Sequence, residues 1–424
     1  MTQLKFANEK YGKWALVGGG VLIWLVILVL FKFYGYEKTW QLWKVPTEMP
    51  PFLDFRLIPG SAESFQRGFE PTVENPNDPR SRIFNYPMFW RLFFYIKLTE
   101  SQIIWIGISM IVLFFMGAFL FPQKLTVFDS LWMLLVLFSP ASMLLYERGN
   151  VDLVIFFVCV FVILVEGYSA YVAAALLVVG GVMKLYPVLG VSVLLRESKS
   201  KFIWLTAICF FMLIAYVYLT FDSVRASWDL TMRGIQISYG TNVLFSRYEQ
   251  NISLFLAQWF SAVQVETISK TIPLILGGIL VLVSGVMGIR DQEPLTVSSE
   301  RNLAAFRMGA SIYVGTFLLR NNWDYRLAFL VLVIPQLSYW MRSLNNKKRK
   351  IVLMGVVLVL ASCWHFMIWY SPYIRNFKDI MFILDELLNW SLVYVFTYLL
   401  FATAPEWLKS GSRHILMFDR RKPA

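Results

Sequence analysis

The sequence predicts an all-α integral membrane protein, and three observations predict it. Of the 424 residues 58% are hydrophobic and 17% aromatic against 16% charged, and the mean hydropathy is +0.58, too apolar for a water-soluble globule. Apolar runs of span length, on the ~20-residue criterion, recur at 14–32, 102–121, 127–145, 202–221, 271–289, 303–319, 326–341, 351–370 and 387–403. Charged residues gather in short stretches between and beyond them. With a shorter run at 151–166 and a longer one at 168–195, the expectation is a bundle of roughly 11–13 transmembrane or re-entrant helices. No internal repeat shows and no soluble domain can be cut out, so 1–424 reads as one domain.

Several chemistries are excluded at this level. The net charge of +12, from 39 Lys+Arg against 27 Asp+Glu, sits where it suits membrane orientation and phosphate or headgroup contact rather than nucleic acid. Cys159, Cys209 and Cys363 each lie inside an apolar run and read as core residues, with no disulfide framework or metal spacing. His365 and His414 are the only histidines, which argues against a histidine metal site or a Ser-His-Asp triad. No metal and no cofactor is expected.

The first run follows Lys5, Lys10 and Lys13, lacks a small-residue cleavage pattern and is longer than a signal h-region, so it reads as a retained helix. Residues 33–100 form a polar, proline-rich first loop. Residues 168–195 would make roughly 42 Å of continuous helix at about 1.5 Å per residue, either one tilted pass or a hairpin broken near Lys184-Leu185-Tyr186-Pro187. Charge arbitrates. With a cytoplasmic N-terminus, the hairpin puts Arg196–Lys201, Asn346–Lys350 and the 405–424 tail with Arg420, Arg421 and Lys422 in the cytoplasm; a single pass puts all three outside, against the positive-inside tendency. The hairpin reading leaves 33–100, 146–150, 222–270, 320–325 and 371–386 on the outer face. In 222–270 aromatic and apolar residues alternate with charges, as in interfacial helices, and the segment reads as a structured lid.

The unusual polar residues collect on that outer face. Asp54, followed by Arg56, stands just past the first helix, where a carboxylate at the mouth of a low-dielectric cavity can take a proton from a hydroxyl; a solvated loop aspartate or helix cap is the competing reading. Asn85 and Tyr86 precede Pro87 and an aromatic run, either an interfacial belt or a substrate lining. Glu147-Arg148-Gly149-Asn150-Val151-Asp152 interrupts two apolar runs, either as an internal ion pair or with Asn150 and Asp152 on sugar hydroxyls. Lys184, costing about 2.5–3.5 kcal/mol at membrane depth, meets an anion such as a lipid phosphate, or snorkels, or pairs with a carboxylate; Tyr186 lies beside it. Arg320-Asn321-Asn322-Trp323-Asp324-Tyr325-Arg326 joins two runs, its two arginines flanking amide, indole and carboxylate groups, as a phosphate or sugar clamp or as a self-satisfied ion-pair loop. Asn251 opens a formal glycosylation sequon.

These pieces in this order resemble the GT-C superfamily of polyprenyl-phosphate-sugar-dependent glycosyltransferases, most closely glycosyltransferase family 87, which includes bacterial alpha-mannosyltransferases. The resemblance rests on Asp54-Phe55 with Gly68, Asn85-Tyr86-Pro87, Gly149-Asn150-Val151-Asp152-Leu153, Lys184-Leu185-Tyr186-Pro187, Gln250-Asn251-Ile252-Ser253-Leu254 and Trp323-Asp324-Tyr325-Arg326. It implies an outward-facing site in a bacterial inner membrane and metal-independent transfer of a sugar, mannose first, from a polyprenyl phosphate to a glycolipid or cell-envelope glycan, with inversion. Asp54 would be the base, and Lys184, Arg326 and Arg320 would hold the donor phosphate. Arg56, Asn85, Tyr86, Asn150, Asp152, Tyr186, Asn251, Trp323, Asp324 and Tyr325 would contact substrate. Two departures stand out: Tyr325-Arg326 replaces the histidine that family members often carry after Trp-Asp, and Pro59-Gly60 is expected to break the helix running from Asp54 toward Gly68. The alternative from another class is a multi-pass transporter or flippase, since an intramembrane lysine and a broken hairpin also describe a substrate path.

Overall fold

The structure is a computed structural model that describes residues 2–230, 237–291, 293, 295–344, 347–369 and 377–410. About 78% of it is helical, as the apolar runs require of a chain that must satisfy its own backbone in lipid. Five described helices are long and apolar enough to cross a membrane: 11–42 within α1 (Thr2–Leu42), α3 (Glu100–Leu120), α8 (Lys199–Leu219), 271–290 within α12 (Ala262–Arg290) and α16 (Lys378–Ala402). A sixth is possible if α4 (Val127–Leu137) and α5 (Pro140–Arg148), bent by 54°, count as one span. The other apolar runs fold into α6 (Asp152–Glu166), α7 (Ala170–Met183), α13 (Glu300–Leu318), α14 (Ile334–Ser343) and α15 (Lys347–Trp369), with 3-10 segments at Met88–Tyr95, Tyr186–Arg196 and Asp324–Val333. Their apolar faces build the interior.

Local chemistry sets the ends. Thr99 and Gln102 form a capping box at α3, Thr126 and Asp129 another at α4. Ser139 caps α5 and Pro140 occupies its first turn, which separates it from α4. The long 168–195 run does break at Lys184, whose backbone is extended between α7 and the 3-10 segment. The two pieces lie against each other: a Cβ on Gly180 would stand 3.0 Å from the Pro187 ring.

One expectation is overturned. Pro59-Gly60 does not end the helix, because α2 runs unbroken from Leu53 to Gln66. The proline forgoes one amide donor, a loss of about 3 kcal/mol or more in a helix interior, and burial of Leu53, Phe55, Leu57 and Ile58 opposes it. Gly60 has a different purpose: a Cβ there would approach Asn77 O and Asp78 Cα to 3.0 Å, so glycine lets the 75–78 loop lie directly on α2.

The 222–270 segment is built of α9 (Phe221–Leu230), β1 (Ser238–Tyr239), α10 (Val243–Arg247), α11 (Glu249–Leu256) and the start of α12, with 231–236 outside the described residues. β1 pairs antiparallel with β2 (Asn322–Trp323), Ser238 opposite Trp323 and Tyr239 opposite Asn322. That ribbon fastens this segment to the loop before Asp324. His414, Arg420, Arg421 and Lys422 of the basic tail, Asn346 and residues 371–376 lie outside the described residues. Cys159, Cys209 and Cys363 are free and buried.

Candidate functional site

The interruptions between apolar runs meet at one end of the bundle. Asp54 enters from the first turn of α2, after Phe52, whose φ of 61° turns the chain into that helix. Glu147 holds the approach, its Oε1 accepting from Glu48 N at 2.9 Å and its carbonyl accepting from Phe52 N at 3.3 Å. Gly149 ends α5 with φ 57°, and its missing Cβ makes room for Phe52, which would otherwise sit 2.8 Å away. Asn150 and Asp152 follow at the start of α6. Trp90 Nε1 donates to Met183 O at 2.9 Å, which seats the segment after Tyr86 against the break at Lys184.

Asp54 is the partly open carboxylate, with 21% of its side chain exposed against 0% for Asp78 and Asp152. Arg82 Nη1 approaches its Oδ1 at 3.3 Å, and Asn150 Nδ2 donates to its Oδ2 at 2.8 Å. Lys184 Nζ donates to Asn150 Oδ1 at 3.0 Å and stands 2.6 Å from Asp152 Oδ1. Tyr186 OH donates to Asp152 Oδ1 at 2.8 Å, and Arg326 Nε lies 3.3 Å from Oδ2. Tyr325 OH is 3.3 Å from Asn150 Nδ2, Trp323 stacks on Tyr325, and Lys184 lies 5.7 Å above the Tyr86 ring.

Charges in this set balance. Asp54, Asp78 and Asp152 are met by Arg82, Lys184 and Arg326. Burial opposes the charge on Arg82, but hydrogen bonds and charge from Asp78, with the charge of Asp54, hold its pKa above the ordinary value. Burial, reinforced by Asp54, pushes the Tyr86 phenol well above its usual range, so it acts as a neutral hydrogen-bonding group. Buried groups of this kind, fixed by one another, form a rigid polar wall with one accessible carboxylate.

The sequence-predicted residues divide. Asp54, Tyr86, Asn150, Asp152, Lys184, Tyr186, Tyr325 and Arg326 come together, with Trp323 at their edge. Arg56 does not: it is buried, its Nη1 donates to Glu100 Oε2 at 2.7 Å and its Nε to Pro51 O at 2.6 Å. It lines a separate cavity of about 340 Å³ with Gly60, Gln66, Asn77 and Glu100. Two residues along a helix is about 200°, so Arg56 and Asp54 leave α2 on nearly opposite faces. Asn85 is half-buried between Phe84 and Tyr86, and Asn251 is exposed on α11. Arg320 is half-buried with φ 85°, and its carbonyl accepts from Asn242 N at 3.1 Å. Among the described residues no ion pair joins Arg320 to Asp152. Arg320 thus stands apart from the group that holds Arg326, at a left-handed turn of the loop. Asp324 also turns away, into the bundle, where its Oδ2 is 3.1 Å from His365 Nε2.

Sequence reasoning missed Arg82, and it read Asn322 only as one amide of the 320–326 loop. Arg82 sits in a loop rich in charge, and nothing in its spacing from Asp54 distinguishes it from Arg80. Its anchor is the fully buried Asp78, which accepts from Arg82 Nε at 3.1 Å and Nη2 at 2.9 Å, as well as from the backbone of Arg80 and Arg82. Asn322 holds Arg326 through its Oδ1 and Thr316 through its amide. No protein-family model matches the chain, and neither curated proteins nor solved structures give a match.

Proposed function

We propose that this chain is a membrane glycosyltransferase that moves a sugar, mannose first, from a polyprenyl phosphate to a glycolipid or cell-envelope glycan. What carries the reading is the convergence of Asp54, half-wrapped by Arg82 and Asn150, on Lys184 and Arg326. A base and a phosphate-holding pair on one rigid wall are what displacement at an anomeric carbon needs. The order of the sequence pieces, which resembles glycosyltransferase family 87, supports it independently. The finer reading is a GT-C-like bundle in a bacterial inner membrane, with cytoplasmic termini, this face outside, and 222–270 as a lid.

In that reaction Asp54 takes the proton of the acceptor hydroxyl. The hydroxyl oxygen bonds to the anomeric carbon from the face opposite the phosphate, and the carbon–oxygen bond to the phosphate breaks with inversion. The electron pair stays on the phosphate, which passes from monoanion to dianion while Asp54 becomes neutral. Total charge is conserved, and the wall changes from neutral to a single positive charge as the phosphate gains one negative. Lys184 and Arg326 supply that attraction. No step uses a metal or cofactor.

Purified protein incubated with radiolabelled polyprenyl-phosphate mannose, a panel of membrane glycolipids and EDTA tests this, with Asp54→Asn in parallel. A labelled product that disappears in the variant supports both the class and the base. Product seen only when a divalent ion replaces the EDTA, or equal turnover by the variant, overturns the corresponding part.

One observation favours the transporter reading: Asp324, His365, Asp385 and Glu386 are buried together in the bundle, and buried ionisable groups mark ion paths in carriers. Uptake of a polar or lipid-linked substrate into proteoliposomes, with no chemical change to it, would select that reading.

A further inference from the structure

The amide of Asn150 lies between two groups that fix which way it points. On one side is the Asp54 carboxylate, which when ionised only accepts hydrogen bonds; on the other is the Lys184 ammonium, which only donates. The NH₂ must face Asp54, at 2.8 Å, and the oxygen must face Lys184, at 3.0 Å. Asn150 is only 3% exposed, and Tyr325 OH and Tyr86 OH close its remaining side at 3.3 and 3.5 Å. Its oxygen also accepts from the Asp152 amide at 3.1 Å, so the side chain is held by its own helix start. A sugar hydroxyl has little left to bind on this amide, contrary to the role the sequence suggested.

Resting on the glycosyltransferase reading and deepening it, we propose that Asn150 couples the two halves of the transfer, tying proton removal at Asp54 to stabilisation of the departing phosphate by Lys184. The physical link is polarisation along a hydrogen-bond chain. An ionised Asp54 draws on the amide N–H, enriches the amide oxygen and strengthens its hold on Lys184. When Asp54 takes the acceptor's proton that pull fades, the amide oxygen weakens as an acceptor, and the Lys184 N–H is released toward the phosphate oxygen that has just gained charge. Asn150 touches neither reacting atom and is a positioning residue.

The test is steady-state transfer by full-length protein in detergent or nanodiscs, using polyprenyl-phosphate sugar, for wild type, Asn150→Ala, Lys184→Met and the double variant. Asn150→Ala should lower kcat by about 100-fold, the scale of losing one preorganised donor, with acceptor KM changed by less than about 3-fold. The double variant should be no slower than the worse single variant by more than about 3-fold, because coupled residues are non-additive. Asn150→Asp keeps the shape where alanine destabilises the fold but offers no N–H to Asp54, and should lose kcat as Asn150→Ala does, with acceptor KM again changed by less than about 3-fold. Losses that multiply fully in the double variant, or turnover by Asn150→Asp within about 3-fold of wild type, would return Asn150 to a structural role while the enzyme reading stands. Absence of transfer by wild type from every lipid-phosphate donor would overturn the reading itself and the coupling with it.

Discussion

Two buried aspartates, Asp152 and Asp324, have opposite surroundings. Asp152 is fully buried and answered by three side chains, Lys184, Tyr186 and Arg326. Asp324 is 1% exposed and faces His365, whose other nitrogen is 4.0 Å from Asp385, with Glu386 next along α16. The first acid sits where cations balance it and an open carboxylate, Asp54, lies one amide away. The second sits among further acids. Among the described residues no lysine or arginine forms an ion pair with Asp324, Asp385 or Glu386. A wall with balanced charge and one exposed base suits chemistry on a bound substrate, whereas the acidic set, buried among helices, gives that wall no hydrogen bond or ion pair among the described residues. The proposed division is that the Asp152 region acts on substrate and the Asp324 region does not.

The largest effect that can break this division is at Asp54. Asp54→Asn keeps size and burial but cannot take a proton, and transfer should fall by about 10³-fold, within the share of a single general base. Folding, read by size exclusion and melting temperature, should be unchanged. Turnover near wild type would remove Asp54 as the base. Next in size is Lys184→Met, which leaves Asp152 with Arg326 and Tyr186 but takes away the charge proposed to hold the phosphate. Half-saturation by donor should rise about 10- to 100-fold, on the scale of a lost charge-assisted hydrogen bond of about 1.5–3 kcal/mol. An unchanged donor dependence would make the lysine a structural partner of Asp152.

The legibility of the two regions in the sequence differs for a physical reason. Asp54, Asn150, Lys184 and Arg326 interrupt apolar runs, and ionisable groups in such places are costly enough to attract notice one by one. Gly149 and Pro187 mark the turns that bring two of these islands inward. Arg82 was not legible because its meaning comes from Asp78 and from Gly60, which lets that loop lie on α2. His365 was not legible because it sits inside an apolar run, and only the packing of α15 against the 324–333 segment brings it to Asp324. Pro59 was misread because local propensity disfavours it, while the buried face of α2 overrides that propensity.

Arg82→Met sharpens the comparison with a smaller effect. The guanidinium fixes Asp54 at 3.3 Å while its other nitrogen holds Asp78 at 2.9 Å, so its removal should lower kcat by about 10-fold with donor KM changed by less than about 3-fold. Arg82→Lys, which keeps the charge but not the fork onto Asp78, should recover only part of the rate. An unchanged kcat in Arg82→Met would show that Arg82 only props the loop.

The smallest expected effect tests the other region. Glu386→Gln has nearly the shape of the native side chain and removes the carboxyl, and Glu386 is fully buried with no hydrogen-bond partner among the described residues. If chemistry is confined to the Asp152 side, this variant should transfer sugar within about 3-fold of wild type, the scale expected away from the reacting groups. The same should hold for donor and acceptor KM, because α16 supplies no residue to the wall around Asp54. A selective loss of turnover in a protein that melts normally would mean that the acidic set takes part in the working cycle, as a carrier would require. The test is sharper than substitution of Asp324 itself, since Asp324 adjoins Tyr325 and its loss can reach Asp54 through the backbone. Glu386 reaches the site only through the bundle, so an effect there identifies movement of the bundle rather than damage to the wall.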